Sequence, residues 1–342
     1  MIELSLILFL LAGPVLEDFT KDRTLFLKAF LPFFVIASHY CPKIIMPNLD
    51  IPLLGPFAVW IFFFISGYGL SCKYRADING LKLSYIVKKI IGLLIPLIVS
   101  MLLYLAICYN LLDNPPKINI VANLKSNYLV HPITWFVITI INLYIIFYMV
   151  QLVKKHLLIL LALLVVSLMF FQWFCDVPSV SFISDLAFVA GCFFAKYKDK
   201  LNEFSIRKIK TRFAFFVVLM FVPVQGIVPI TSFFISIFFI MLFCSIKKGK
   251  WMKNRVVDAF ANISYELYLV QVISAEIIYY FFENRERSIL SFLLIVIGSV
   301  FLASVIHPLG KIFTKWIISF ISILKNKAML FFVKMNGYVK KA

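Results

Sequence analysis

The chain has 342 residues, 63% hydrophobic and only 15% charged, with 34 Lys and Arg against 16 Asp and Glu for a net charge of +18; its mean hydropathy is +0.99. Soluble domains run about 45–50% apolar and about 25% charged, so this balance excludes collagen-like, disordered and small disulfide-stapled classes and points to a polytopic membrane protein. At ~20 residues per crossing, the apolar residues suffice for about ten spans with little left for a soluble domain. The expected fold is therefore all-α, a membrane bundle of about ten transmembrane helices.

In chain order, the first apolar stretch (residues 4–16) contains Gly13 and Pro14 and is too short to span comfortably. It reads as an interfacial or re-entrant piece, an eleventh short span being the alternative. Without a basic segment ahead of it, and with Glu17 and Asp18 behind it, it does not read as a cleavable signal. Apolar windows then place spans near 24–42, 52–71, 84–108, 133–153, 157–173, 181–196, 212–224, 228–246, 257–281 and 288–306.

With the stretch before residue 24 on the inside, this register leaves only Lys43, Lys117, Lys125, Arg285 and Arg287 of the 34 basic residues outside. That asymmetry is how helical membrane proteins mark their cytoplasmic side, and it predicts a multi-pass protein of the cell (inner) membrane with both ends inside. The division expected is an N-terminal segment (1–22), a ten-span domain (23–310) and a basic amphipathic tail (311–342). In the tail, Lys residues alternate with aromatic and aliphatic ones, as in a helix lying on the anionic inner leaflet; plain solubilising charge is the alternative.

The basic residues fall in short clusters between apolar runs and not on one polar surface, so nucleic acid is not an expected partner; membrane lipids are. The six cysteines form no CxxC and no Cys/His pair at metal spacing, so neither a disulfide framework nor a bound metal is expected. The loop from Asn110 to Pro132 is long enough to form a lid, but nothing in it is a recognisable site.

Polar groups inside spans cost free energy unless they face the bundle interior, which makes them the first functional candidates. They are Lys28 and His39, Ser66, Asn142, Asp185, then Asn262, Ser264, Glu266, Gln271 and Glu276, and finally His307. Lys28 and His39 stand three helical turns apart, so they project from one face at ~16 Å along the axis. A long thioester lying along that face would meet the cation with its phosphates and the imidazole with its carbonyl. Imidazole is well matched to taking a proton from a hydroxyl near neutral pH. The bland alternatives are a snorkelling anchor for Lys28 and an interfacial ring for His39.

The run from Lys28 to His39 resembles the first-span signature of the acyltransferase family 3 membrane proteins, an Arg followed after ten residues by His. Phe62-Phe63-Phe64-Ile65-Ser66-Gly67-Tyr68 is similar to that family's FFxxSG[FY], followed as in the family by Lys88, Lys89 and Pro96. Trp135-Phe136 with Tyr144 resembles WF…LY, Phe188-Val189-Ala190-Gly191 resembles FxxG, and the run from Ile263 to Gln271 resembles SYxxYLxH. Five motifs in the family's order over residues 23–306 are fairly specific together. The chain departs from the pattern in four places: Lys28 replaces the Arg, Leu25 the Asp three residues earlier, Gln271 the late His, and His307 the acidic residue before Pro.

The resemblance implies an O-acyltransferase, foremost an O-acetyltransferase, moving an acyl group from cytoplasmic acyl-CoA to a hydroxyl of an extracytoplasmic glycan such as surface polysaccharide or a lipid-linked sugar. His39 is then the general base or transient acyl carrier. Lys28, with Arg75, Lys88 or Lys89, attracts the coenzyme A phosphates. The Ser66-Gly67-Tyr68 turn approaches the pantetheine or the oxyanion, a helix-packing glycine being the alternative at Gly67. Trp135 and Tyr144 stack on a sugar, or pack in the core. Ser264, Tyr265, Glu266, Tyr268 and Gln271 line the same cavity, with interhelical hydrogen bonding as the alternative for Ser264 and Gln271. A carboxylate partner for His39 would have to come from Glu266 or Glu276, or His307 would orient it. Two rivals remain: a lipid-linked glycan flippase, against which stands the lack of an inverted repeat, and a non-catalytic relative, kept open by the Lys28 and Gln271 departures.

Overall fold

The computed structural model describes residues 18–41, 54–77, 80–111, 131, 134–153, 156–179, 182, 184–205, 228–282 and 288–339, with side chains described throughout except at 201–205, 228–232 and 324–339. The stretch 4–16, the span expected at 212–224 and nearly all of the loop 110–132 lie outside the described residues.

Nine helices make up the described fold: α1 Lys21–Tyr40, α2 Leu54–Ala76, α3 Leu83–Asn110, α4 Trp135–Val153, α5 Leu157–Phe174, α6 Asp185–Ser205, α7 Val228–Ser245, α8 Arg255–Phe281 and α9 Ile289–Val339. They fall on nine of the ten expected spans, because a bilayer leaves a long apolar segment no other way to satisfy its backbone. Six stretches are long and apolar enough to cross a membrane: Leu54–Ala76, Leu83–Asn110, Trp135–Val153, Leu157–Phe174, Lys250–Phe281 and Ile289–Ile323. The chain is thus an all-helical multi-pass membrane protein, although the described residues do not reach the count of ten. The charges of α1 (Lys21, Asp22, Arg23, Lys28) and of α6 (Lys196, Lys198, Asp199, Lys200) keep those two helices out of that set.

The seam with the most extensive packing joins α2 to α6, followed by α8 with α9 and α8 with α1. The lysine-rich helix ends gather at one end of the bundle. There Asp22 pairs with Lys248 (2.5 Å) and Asp18 with Lys198 (3.3 Å), and the Arg75 guanidinium donates to the Ala195 carbonyl. Arg23, which the sequence offers only as one more inside charge, is completely buried. It donates to the carbonyls of Phe243 and Ile246, each at 2.6 Å, and its guanidinium lies 5.5 Å from the centre of the Phe243 ring. A cation thereby satisfies the last carbonyls of α7, where the helix dipole is negative.

The opposite end gathers Tyr40 against Tyr279 and Tyr104 against His131. α9 runs through Pro308 to Val339 as one helix, so the segment expected as a tail from residue 311 continues the last span, and its Lys311 and Lys315 line the cavity described below. Proline is tolerated there because a membrane helix re-satisfies one freed carbonyl locally.

Candidate functional site

A cavity of about 580 Å³ opens among α1, α2, α3, α4, α8 and α9 at the lysine-rich end. Each helix contributes a face set by its own period. α9 presents His307, Lys311 and Lys315, spaced by four residues and therefore stacked on one side. α3 presents Lys88, Lys89, Gly92 and Pro96, and α1 contributes Lys28. Lys28 is half-buried, whereas Lys88, Lys89, Lys311 and Lys315 are exposed at the mouth. The cavity lining thus carries five lysines and a single carboxylate, the buried Glu266.

The wall changes character with depth. Pro96 removes the N–H that would have bonded the Gly92 carbonyl, leaving an acceptor beside the cavity. Beyond it stand Phe62, Phe136, Ile140 and Tyr268, with the Phe136 and Tyr268 rings 5.0 Å apart. The Tyr265 hydroxyl donates to the Leu93 carbonyl at 2.8 Å, fixing α8 to α3. Across the wall His307 Nδ1 meets Glu266 Oε1 at 2.9 Å, a bond between residues 41 positions apart. Among the described residues, His307 Nε2 and Glu266 Oε2 are buried with no hydrogen-bond partner. A second chamber of about 390 Å³ shares Lys28, Ser66, Lys89 and Tyr144 with the first and adds Lys21, Tyr68, Cys72 and Tyr85.

Of the residues singled out from sequence, Lys28, Ser66, Lys88, Lys89, Tyr144, Asn262, Ser264, Tyr265, Glu266, Tyr268 and His307 line the larger cavity together. Tyr68 lines only the smaller chamber and donates to the Phe19 carbonyl at 3.1 Å. The others stand elsewhere. Gly67 is a packing position, since a Cβ on it would collide with the Phe188 carbonyl of α6. Arg75 is committed to Ala195, and Trp135 packs edge-on against Phe136. Gln271 is completely buried and donates to the Tyr268 carbonyl at 3.0 Å.

His39 lies on the last turn of α1, exposed, with its ring 5.9 Å from that of Tyr40 and its charge felt by His131. It does not line the cavity that holds Lys28. The carboxylate nearest in expectation, Glu266, is bonded to His307 instead. Sequence reasoning missed Lys311, Lys315 and the His307–Glu266 bond. The four-residue spacing of His307, Lys311 and Lys315 was the signal available for the first two.

The family model described as an acyltransferase domain, acyltransferase family 3, matches residues 26–307. The chain belongs to this family. No curated protein and no solved structure matches it. The matched segment starts just before Lys28 and ends at His307, so the cavity is built almost wholly inside the acyltransferase domain, with Gly310, Lys311, Thr314 and Lys315 added from beyond its end.

Proposed function

We propose that this membrane acyltransferase takes its acyl group from a cytoplasmic acyl-CoA, foremost acetyl-CoA, bound in the lysine-lined cavity, and delivers it to a sugar hydroxyl of a surface polysaccharide or lipid-linked glycan. The observation that carries this reading is the five lysines lining a cavity whose wall also holds the buried aromatic rings of Phe136 and Tyr268. A phosphate-rich head with a thin, less polar arm is complementary to that lining. Ammonium groups act on phosphates as point charges, and partial burial of Lys28 strengthens its share. The lysine-rich end faces the cytoplasm if basic residues mark the inner side, which is where acyl-CoA is found.

The family likeness puts the base at His39. His39 does not line the lysine cavity, so this reading of the donor site does not depend on it. The test is calorimetric titration of the purified protein with coenzyme A, paired with incorporation of labelled acetate into cell glycans. Saturable binding weakened by salt, with label that depends on this gene, is the expected result. A protein that binds no coenzyme A yet alters how much glycan reaches the surface is a flippase, and the reading fails.

A further inference from the structure

We infer that His307, aligned by Glu266, is an acid–base residue acting on the thioester end of the donor inside the lysine cavity. The inference rests on the acyl-CoA reading and deepens it. Glu266 is 5% exposed, and its Oε1 lies 2.9 Å from His307 Nδ1. A carboxylate on Nδ1 selects the tautomer with hydrogen at that nitrogen and leaves the lone pair of Nε2 as the proton acceptor. Both residues line the cavity, and the second polar atom of each, Nε2 and Oε2, has no partner among the described residues.

A mere strut between α8 and α9 gains nothing from that arrangement, because each unsatisfied buried polar atom costs about 1–3 kcal/mol. Such a pair of groups, bonded to each other on a cavity wall, is suited to receiving a ligand, an ordered water or a proton. Shielding from bulk water spares the imidazole a competing hydrogen bond, and catalytic hydrogen bonds often close only when substrate is in place.

The step balances without any further reagent. The acceptor hydroxyl gives its proton to Nε2 as its oxygen bonds to the thioester carbonyl carbon. The carbon–sulfur bond then breaks, and the departing thiolate takes that proton back from Nε2, giving ester and free coenzyme A. The hydroxyl must share the cavity with the donor, which favours a sugar carried on a membrane lipid over a finished polymer.

Membranes carrying the acceptor are assayed with labelled acetyl-CoA, and the same variants are purified and titrated with coenzyme A. His307→Gln is expected to lose about 100-fold or more in kcat while its coenzyme A affinity stays near that of the wild type, which also reports an intact fold. Glu266→Gln, nearly isosteric, is expected to lose about tenfold or more in kcat without a matching rise in KM, and Glu266→Asp to recover part of it. Added imidazole is expected to restore turnover to His307→Gly. Turnover by His307→Gln and Glu266→Gln within a few-fold of the wild type overturns the inference, as does a loss confined to coenzyme A affinity. A wild type that fails to bind coenzyme A sinks the underlying reading instead, so the two failures are distinguishable.

Discussion

The α2–α6 seam and the lysine cavity are both lined by glycine, and the two glycine environments are opposites. At the seam a Cβ on Gly67 would strike the Phe188 carbonyl, and one on Gly191 would strike the Phe64 carbonyl, so each helix backbone fills the space left by the other's missing side chain. Cys192 Sγ adds a hydrogen bond to the Gly67 carbonyl at 3.3 Å. At Gly92, in the cavity wall, a Cβ would meet nothing within 4 Å. Two motif glycines therefore make the fold possible, while a glycine outside any motif leaves room for a ligand. Within one run, Ser66 faces the cavity and Gly67 faces the seam. Resemblance to a motif marks a segment; only the neighbours of each residue tell packing from chemistry.

The largest effects come from breaking the seam. Gly191→Val places branched bulk against backbone that has no rotamer to yield, and no monodisperse protein is expected on extraction in mild detergent. Gly67→Ala, the milder probe, is expected to cost about 1–3 kcal/mol, read as a shift in an unfolding titration. The converse substitution is Gly92→Phe. Its Cβ meets no protein atom within 4 Å, its ring points toward cavity space, and it gains helix propensity over glycine, so thermal stability is expected to hold or rise slightly while coenzyme A affinity falls by about tenfold or more, equivalent to about 1.4 kcal/mol. A folded Gly191→Val, or a Gly92→Phe that binds coenzyme A normally, would erase the distinction between the two regions.

The parts of this architecture that were legible in sequence are those that depend on composition along one helix. Apolar runs located nine described helices because lipid enforces helix formation segment by segment. Lys28, Ser66 and Glu266 stood out as polar groups in apolar company, and Lys88, Lys89, Tyr144, Tyr265 and Tyr268 through resemblance to the family's motifs; the cavity does collect them. What was not legible depends on which helix faces which. Arg23 looked like any inside charge, yet it caps α7 from more than two hundred residues away. Lys311 and Lys315 looked like part of a surface tail, because lysines alternate there with aromatic and aliphatic residues. Nothing local says that Gly310 lies against Pro96, with a Cβ there at only 3.1 Å from the proline ring, or that this contact brings the lysines to the cavity mouth. The Glu266–His307 bond has no signature in either segment alone.

Within the cavity, depth should grade the lysines. Lys28 is half-buried between two chambers, so Lys28→Ala is expected to weaken coenzyme A by about tenfold. Lys28→Arg keeps the charge and adds a fork suited to phosphate, so it should bind at least as well as wild type. Lys311→Ala and Lys315→Ala remove exposed charges worth about 0.2–1 kcal/mol each, a two- to fivefold effect that moderate salt should abolish. If Lys28→Ala binds coenzyme A unchanged while the mouth variants do not, the phosphates sit outside and the half-buried cation has another duty.

The smallest effect belongs to the opposite end of the bundle, where His131 packs edge-on against Tyr104 with ring centres 5.5 Å apart. Burial, reinforced by the nearby His39, holds this imidazole down to about 4, against an ordinary histidine value of about 6.5. The folded protein therefore keeps His131 neutral over a window in which the unfolded chain binds a proton there. Stability contributed by this site is present above about pH 6.5 and is lost as the pH falls toward 4. His131→Gln cannot titrate, so its stability should slope less steeply over that window, measured as the difference in unfolding midpoint between pH 7 and pH 5. Because His39 is the secondary cause, His39→Gln should flatten the slope only in part. An equal effect of the two substitutions would mean that mutual repulsion of the two rings, and not burial, governs this end of the molecule.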